Sequence, residues 1–157
     1  MTKFSDVLFF ALVVTVILGL VWLFSAPSSD VLGNTGIISK PSGSGSAGSD
    51  SSPLSFYSDF SGTTPVSEIN WETLSPSQSK DSTIYVRNSG LRDLTLTFST
   101  DSWSPANASN YMTLSWDAPQ SLSVQAGEIK PIIFTLTVTS NITGITEFSF
   151  NIVIWYD

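Results

Sequence analysis

Neither histidine nor cysteine occurs in the 157 residues, so chemistry performed by this chain would rest on paired carboxylates, on serine with lysine, or on oxygen ligands to a metal. Spacing assembles none of these. The thirteen acidic residues are dispersed, and nearly all fall on expected loops or outward strand positions. Lys80 and Lys130 stand beside serines, an adjacency that a serine-rich chain produces by chance. The stretch Asp101-Ser102-Trp103-Ser104-Pro105-Ala106-Asn107, followed by Asn110, could offer Ca²⁺ ligands from Asp101 and backbone carbonyls if folded back, but its spacing departs from the EF-hand loop. A plain inter-strand loop is expected there, with no catalytic residues, no bound metal and no cofactor; the chain is not expected to be an enzyme. Chemistry done to the chain has two candidate positions. Asn107-Ala108-Ser109 and Asn141-Ile142-Thr143 are N-glycosylation sequons, both expected in loops, where a transferase and a bulky glycan need them.

Composition narrows the partners. Net charge is −7, and the six basic residues, Lys3, Lys40, Lys80, Arg87, Arg92 and Lys130, are scattered singly. No basic patch exists to hold phosphates, so nucleic acid is excluded as an expected partner. The acidic surplus would repel an anionic lipid surface, so the soluble part is expected to stand off a membrane rather than lie flat on it. The lack of cysteine excludes disulfides and thiolate metal sites without identifying a redox compartment.

A membrane is nevertheless the first partner the sequence names. Val7–Phe24, VLFFALVVTVILGLVWLF, carries no charge and has Thr15 as its one polar side chain. At about 1.5 Å per residue its helix would be roughly 27 Å long, close to the roughly 30 Å hydrocarbon core of a bilayer. Cleavage as a signal peptide fits poorly, because the run is long and the best site, after Ala26, puts bulky Phe24 at −3 and Pro27 at the new N-terminus. Lys3 and the terminal amine outweigh Asp6, so the expected orientation is a short cytoplasmic tail, residues 1–6, with the C-terminal part extracytoplasmic at the plasma membrane. Thr15 and Gly19, four apart, share one helix face and form a candidate packing surface of the small-xxx-small kind.

Beyond the helix, residues 25–53 turn to Ser, Gly, Pro and Asp, and Lys40–Pro53 reads KPSGSGSAGSDSSP. The stretch lacks the apolar side chains to fold alone and reads as a linker, with a root-mean-square reach of about 30 Å. The pairs Val31–Leu32 and Ile37–Ile38 suggest a short turn within it.

From residue 54 to 157 the apolar period is two, the signature of strands with one buried face, and no helical period appears. Ile84 and Val86 alternate with Thr83, Tyr85 and Arg87; Leu94, Leu96 and Phe98 follow after Asn88-Ser89-Gly90, which is expected to close a hairpin. Met112, Leu114 and Trp116, then Leu122 and Val124, lead through the Ala126-Gly127-Glu128 turn to a strand opened by Pro131, and Phe148, Phe150, Ile152, Ile154 and Tyr156 form the closing strand. With Leu54–Phe60 and Ile69–Leu74 this makes about eight short strands, predicting an all-β antiparallel sandwich of two packed sheets. Trp116 is expected at its centre, with Trp71 and Trp103 at sheet ends. Alternation turns Tyr85 and Trp155 outward, making them the candidate contact patch.

The succession Trp71-x-x-Leu74-x-Pro76, Val86-Arg87-Asn88-Ser89-Gly90, Leu122-x-Val124-x-Ala126-Gly127-Glu128 and Phe148-x-Phe150-x-Ile152 resembles Ig-like, CARDB-like domains of prokaryotic cell-surface proteins over residues 54–157. That resemblance implies a seven- to eight-stranded Ig-like fold and carries no activity with it. With the helix included, the outline is similar to archaellar stator proteins of the FlaF type, single-span proteins whose extracytoplasmic β-sandwich engages the surface layer, and no residue-level motif carries that likeness. A type IV pilin-like outline is shared too, but MTKFSDVLFF lacks the basic leader ending in a small residue and the early glutamate of such subunits. The expected function is a membrane-anchored, non-enzymatic interaction or structural module that contacts another cell-surface or membrane protein. The alternative is a subunit of a homo-oligomer, a surface filament or a larger membrane complex.

Overall fold

A computed structural model describes residues 31–39, 52–118 and 120–157. The expected tail, the Val7–Phe24 span with Thr15 and Gly19, and residues 25–30 and 40–51 of the expected linker lie outside the described residues. Among the described residues no helix is long and apolar enough to cross a membrane.

Among the described residues ten strands form two sheets: β1 Val31–Ser39, β2 Leu54–Tyr57, β3 Glu68–Asn70, β4 Thr73–Leu74, β5 Ser79–Asn88, β6 Leu94–Ser104, β7 Met112–Trp116, β8 Leu122–Val124, β9 Ile129–Val138 and β10 Glu147–Tyr156. The larger sheet has the order β3-β1-β10-β6-β8, with β4 also on β1; the smaller has β2-β5-β9-β7. All pairings are antiparallel except that of β1 with β10. The inward residues of both sheets make one core. Phe98 of the larger sheet meets Phe134 of the smaller edge to face at 5.4 Å, a direct contact across the interior.

Strand alternation is read correctly wherever one face is dry. Ile84 and Val86 are buried while Thr83 and Arg87 are exposed, and Phe148, Phe150, Ile152 and Ile154 are buried along β10. Several expectations are corrected. First, Val31–Ser39 is a strand inside the larger sheet, not linker or turn, and hydrogen-bonded neighbours on both sides supply the stability its glycine-containing sequence lacks. Second, Ile69–Leu74 is two short strands, because Glu72 at φ 56° turns the chain between them. Third, Asn88-Ser89-Gly90 closes no hairpin, since β5 and β6 belong to different sheets. Asn88, the one buried polar residue among those described, anchors the crossing: its Nδ2 donates to the carbonyls of Arg92 (2.8 Å) and Val124 (3.1 Å), and its Oδ1 accepts from the Gly90 N–H (2.9 Å). Fourth, Trp71 rather than Trp116 is the fully buried tryptophan. Its ring stacks with Phe150 at 6.3 Å, and Trp103 stacks on the same phenylalanine at 4.1 Å, joining the core rather than a sheet end.

Pro131 sits inside β9 rather than opening it. The Ile133 N–H points toward the β7 side, donating to Asp117 Oδ1 at 3.1 Å, and a nitrogen two residues earlier points the same way. Because β7 pairs with Phe134–Val138, the ring nitrogen of Pro131 faces no strand among the described residues, and its missing donor breaks no described ladder bond.

Candidate functional site

The outer face of the smaller sheet carries a row of aromatic and apolar side chains that are exposed or half-buried. Register puts Tyr57 opposite Tyr85 and Tyr85 opposite Pro131, so three strands contribute one row across the sheet. Ile133, opposite Thr83, stands one step along the same face and is 37% exposed. Above the row, Phe60 is 64% exposed, its ring held edge to face on Tyr85 at 5.9 Å and 74°.

An exposed phenylalanine on a loop needs a reason to stay there, and Asp59 provides it. Its Oδ1 accepts from the Ser61 hydroxyl, from the Thr63 N–H at 3.1 Å and from the Thr63 hydroxyl at 3.1 Å, while its Oδ2 accepts from the Thr64 N–H at 2.6 Å. These bonds favour the charged carboxylate, the Ser61 hydroxyl most of all and then the Thr63 N–H, and hold the Asp59 pKa well below the ordinary carboxylate value of 3.8. The loop closes on the sheet through Ser58 N–H to the Thr64 carbonyl (3.0 Å) and Val66 N–H to the Phe56 carbonyl (2.9 Å). Gly62, at φ +67°, turns the loop where a Cβ would press on Ile129 at 3.2 Å. The result is a pre-formed aromatic platform rimmed by hydroxyls and by Arg87.

The structure separates the residues that the sequence pairs. Tyr85 is on the smaller sheet, whereas Trp155 is on β10 of the larger one, 48% exposed, with its indole N–H on the Ser99 hydroxyl at 3.3 Å. They belong to different outer faces and make no common patch; Tyr85 keeps company with Tyr57, Phe60, Pro131 and Ile133 instead. Phe60 and Pro131 escape sequence reading because loops have no periodicity and the Pro131 register is fixed only by pairing.

Both sequon asparagines are exposed: Asn107 in the 3-10 turn Ala106–Asn110 and Asn141 in the β9–β10 connection. The two lie at one end of the molecule, since β7 begins opposite the end of β9 and the Thr139 N–H bonds the Tyr111 carbonyl at 2.8 Å. The oxygen-rich stretch, expected as a plain inter-strand loop, instead begins as strand: Asp101–Ser104 continues β6, and Asp101 Oδ1 accepts from the Asn151 amide at 2.9 Å. Among the described residues no group of three or more acidic side chains could hold a metal ion. Lys80 pairs with Glu72 at 2.5 Å, and Lys130 donates to the Ser123 carbonyl at 2.9 Å, so neither ammonium is poised on a serine hydroxyl.

A cavity of about 290 Å³ opens between the sheets at the β7 edge, lined by Phe98, Leu114, Trp116 and Ala118 among others. Trp116 is half-buried there, tilted on Phe98 at 4.9 Å, and Ser115 and Gln120 add polar groups to the lining. Fold and face together define an all-β, two-sheet protein with an exposed aromatic platform. No protein-family model matches this chain, and no curated protein is similar to it.

Proposed function

We propose that the chain is a single-span, extracytoplasmic Ig-like module of the cell surface that works by contact, receiving another surface or membrane protein on the outer face of its smaller sheet. The observation that carries this reading is Phe60, 64% exposed and held on Tyr85 by a loop whose Ser61, Thr63 and Thr64 all bond to the Asp59 carboxylate. The contact with Tyr85 leaves most of the Phe60 ring in water, and an ordered aromatic ring on an apolar face is what binding hot spots use. The uncharged Val7–Phe24 run and the lack of histidine and cysteine support the membrane location and the non-enzymatic role.

The tether is shorter than composition suggests. With β1 starting at Val31, residues 25–30 alone separate the expected span from the sandwich, a reach of about 20 Å. β1 enters at the end that carries Asn107 and Asn141, so this end faces the bilayer and the platform stands along the side of the head. Affinity capture from native membranes with the full-length chain tests the reading. Phe60→Ser and Tyr85→Ser should lose the captured protein while Trp155→Ser retains it. Retention by both smaller-sheet variants, or loss only with Trp155→Ser, would reject this face.

A further inference from the structure

β1 is attached to its own sheet in an unusual way. Its neighbours β10, β3 and β4 are all distant in sequence, so no hairpin holds it, and its pairing with β10 is the one parallel pairing among the described strands. The end of β1 also lies close to the start of the next strand. The Ile38 N–H bonds the Ser67 carbonyl at 2.8 Å, and the adjacent Val66 N–H bonds the Phe56 carbonyl of β2 at 2.9 Å, so one extended segment separates β1 from β2. Two strand spacings bridge that gap, about 10 Å. The chain nevertheless spends residues 40–53 on it, a Ser/Gly-rich stretch with no apolar side chain larger than alanine. Connections in compact domains have a median of about 4–6 residues, and this one, drawn out, reaches about 46–50 Å. Such a reach exceeds what closing β1 on its own head requires and is sufficient for reaching a neighbouring one.

We propose that β1 is an exchangeable strand, Val31–Ser39 of one chain filling the slot between β10 and β3 of a second copy. The slot is specific. Ile38 is buried opposite Ile152, and at Gly36 the absent Cβ leaves room for the Trp71 indole, whose Nε1 lies 2.9 Å from where that carbon would be. Closed and exchanged heads make the same contacts, so linker length and local concentration decide between them. Anchoring in one membrane would raise that concentration and keep the two slots in the same orientation, since β1 enters each head from the same end. The inference is independent of what covers the aromatic platform.

The absence of native cysteine makes the test direct. Thr35 and Asn70 are partners across β1 and β3, and Leu32 and Thr73 are partners across β1 and β4. Full-length Thr35→Cys and Asn70→Cys chains are co-expressed and oxidised in native membranes, and Leu32→Cys with Thr73→Cys serves as a second pair should the first fold poorly. Exchange gives a mixed disulfide dimer well above the dimers either variant forms with itself. Deleting Ser42–Asp50, which still spans a chain's own gap, abolishes that dimer. The proposal is overturned if mixed and self dimers form equally, if the deletion leaves the mixed dimer intact, or if only the doubly substituted chain bonds, within itself.

Discussion

Asn88 and Asp59 show how a single polar side chain can set the course of a loop. Asn88 is fully buried and makes three hydrogen bonds to backbone groups. Asn88→Ala should therefore lower stability by about 1–3 kcal/mol, read from denaturant midpoints, although it removes no apolar surface. Asp59 is a different case, because its bonds lie at the surface and favour the charged carboxylate. Its folded pKa is depressed, so the loop-ordering contribution is fully present above 3.8 and is lost as pH falls through the lower folded value. Acid titration followed by the Phe60 ring resonances should show the loop intact at pH values where ordinary carboxylates are already protonated. Phe60→Ser should leave thermal stability within about 0.5 kcal/mol of the parent while removing partner capture.

At the scale of elements, β1 is the strand on which the larger sheet depends. It joins β3 and β4 to β10, and without it Trp71, Phe150 and Ile152 would lose their cover. Gly36→Val places carbon 2.9 Å from Trp71 Nε1 and 3.3 Å from Ile152 Cδ1. Overpacking of this kind costs about 1–3 kcal/mol, so the variant should melt earlier, and hydrogen exchange should show protection lost first along β1, β3 and β4. The β5–β6 connection is instructive in the same way. Asn-Ser-Gly is hairpin chemistry by residue type, yet here its asparagine binds inward and the chain changes sheets.

For the whole molecule, the consequence of β1 is one of distance. Under the proposed single-span reading, a tether over residues 25–53 would let the head wander, whereas a tether of residues 25–30 alone would keep it within about 20 Å of the bilayer on its sequon-bearing end. A dye at Asn141→Cys in the full-length chain, reconstituted in vesicles with lipid-borne acceptors, should transfer energy more efficiently than one at Gln125→Cys. The second position lies at the opposite end of β9, about 30 Å away. Equal transfer would mean that the head is not seated on that end.

The sequence alone determined what depends on local alternation and composition: an all-β head, the inward residues of β5, β7 and β10, the outward turn of Tyr85 and Trp155, and the exposed sequons. These follow because a strand with one dry face must repeat at period two, and because burying charge in a sheet interior is costly. Tertiary structure alone decided what depends on which strand lies beside which. Val31–Ser39 has too weak a pattern to announce itself and becomes a strand only between two neighbours. Tyr85 and Trp155 share an alternation but not a sheet. Phe60 becomes part of a platform only because the Asp59 loop folds it over a residue from a strand well downstream. Pairing between distant segments leaves no local signature, so the candidate contact face became legible only once the sheets were assembled.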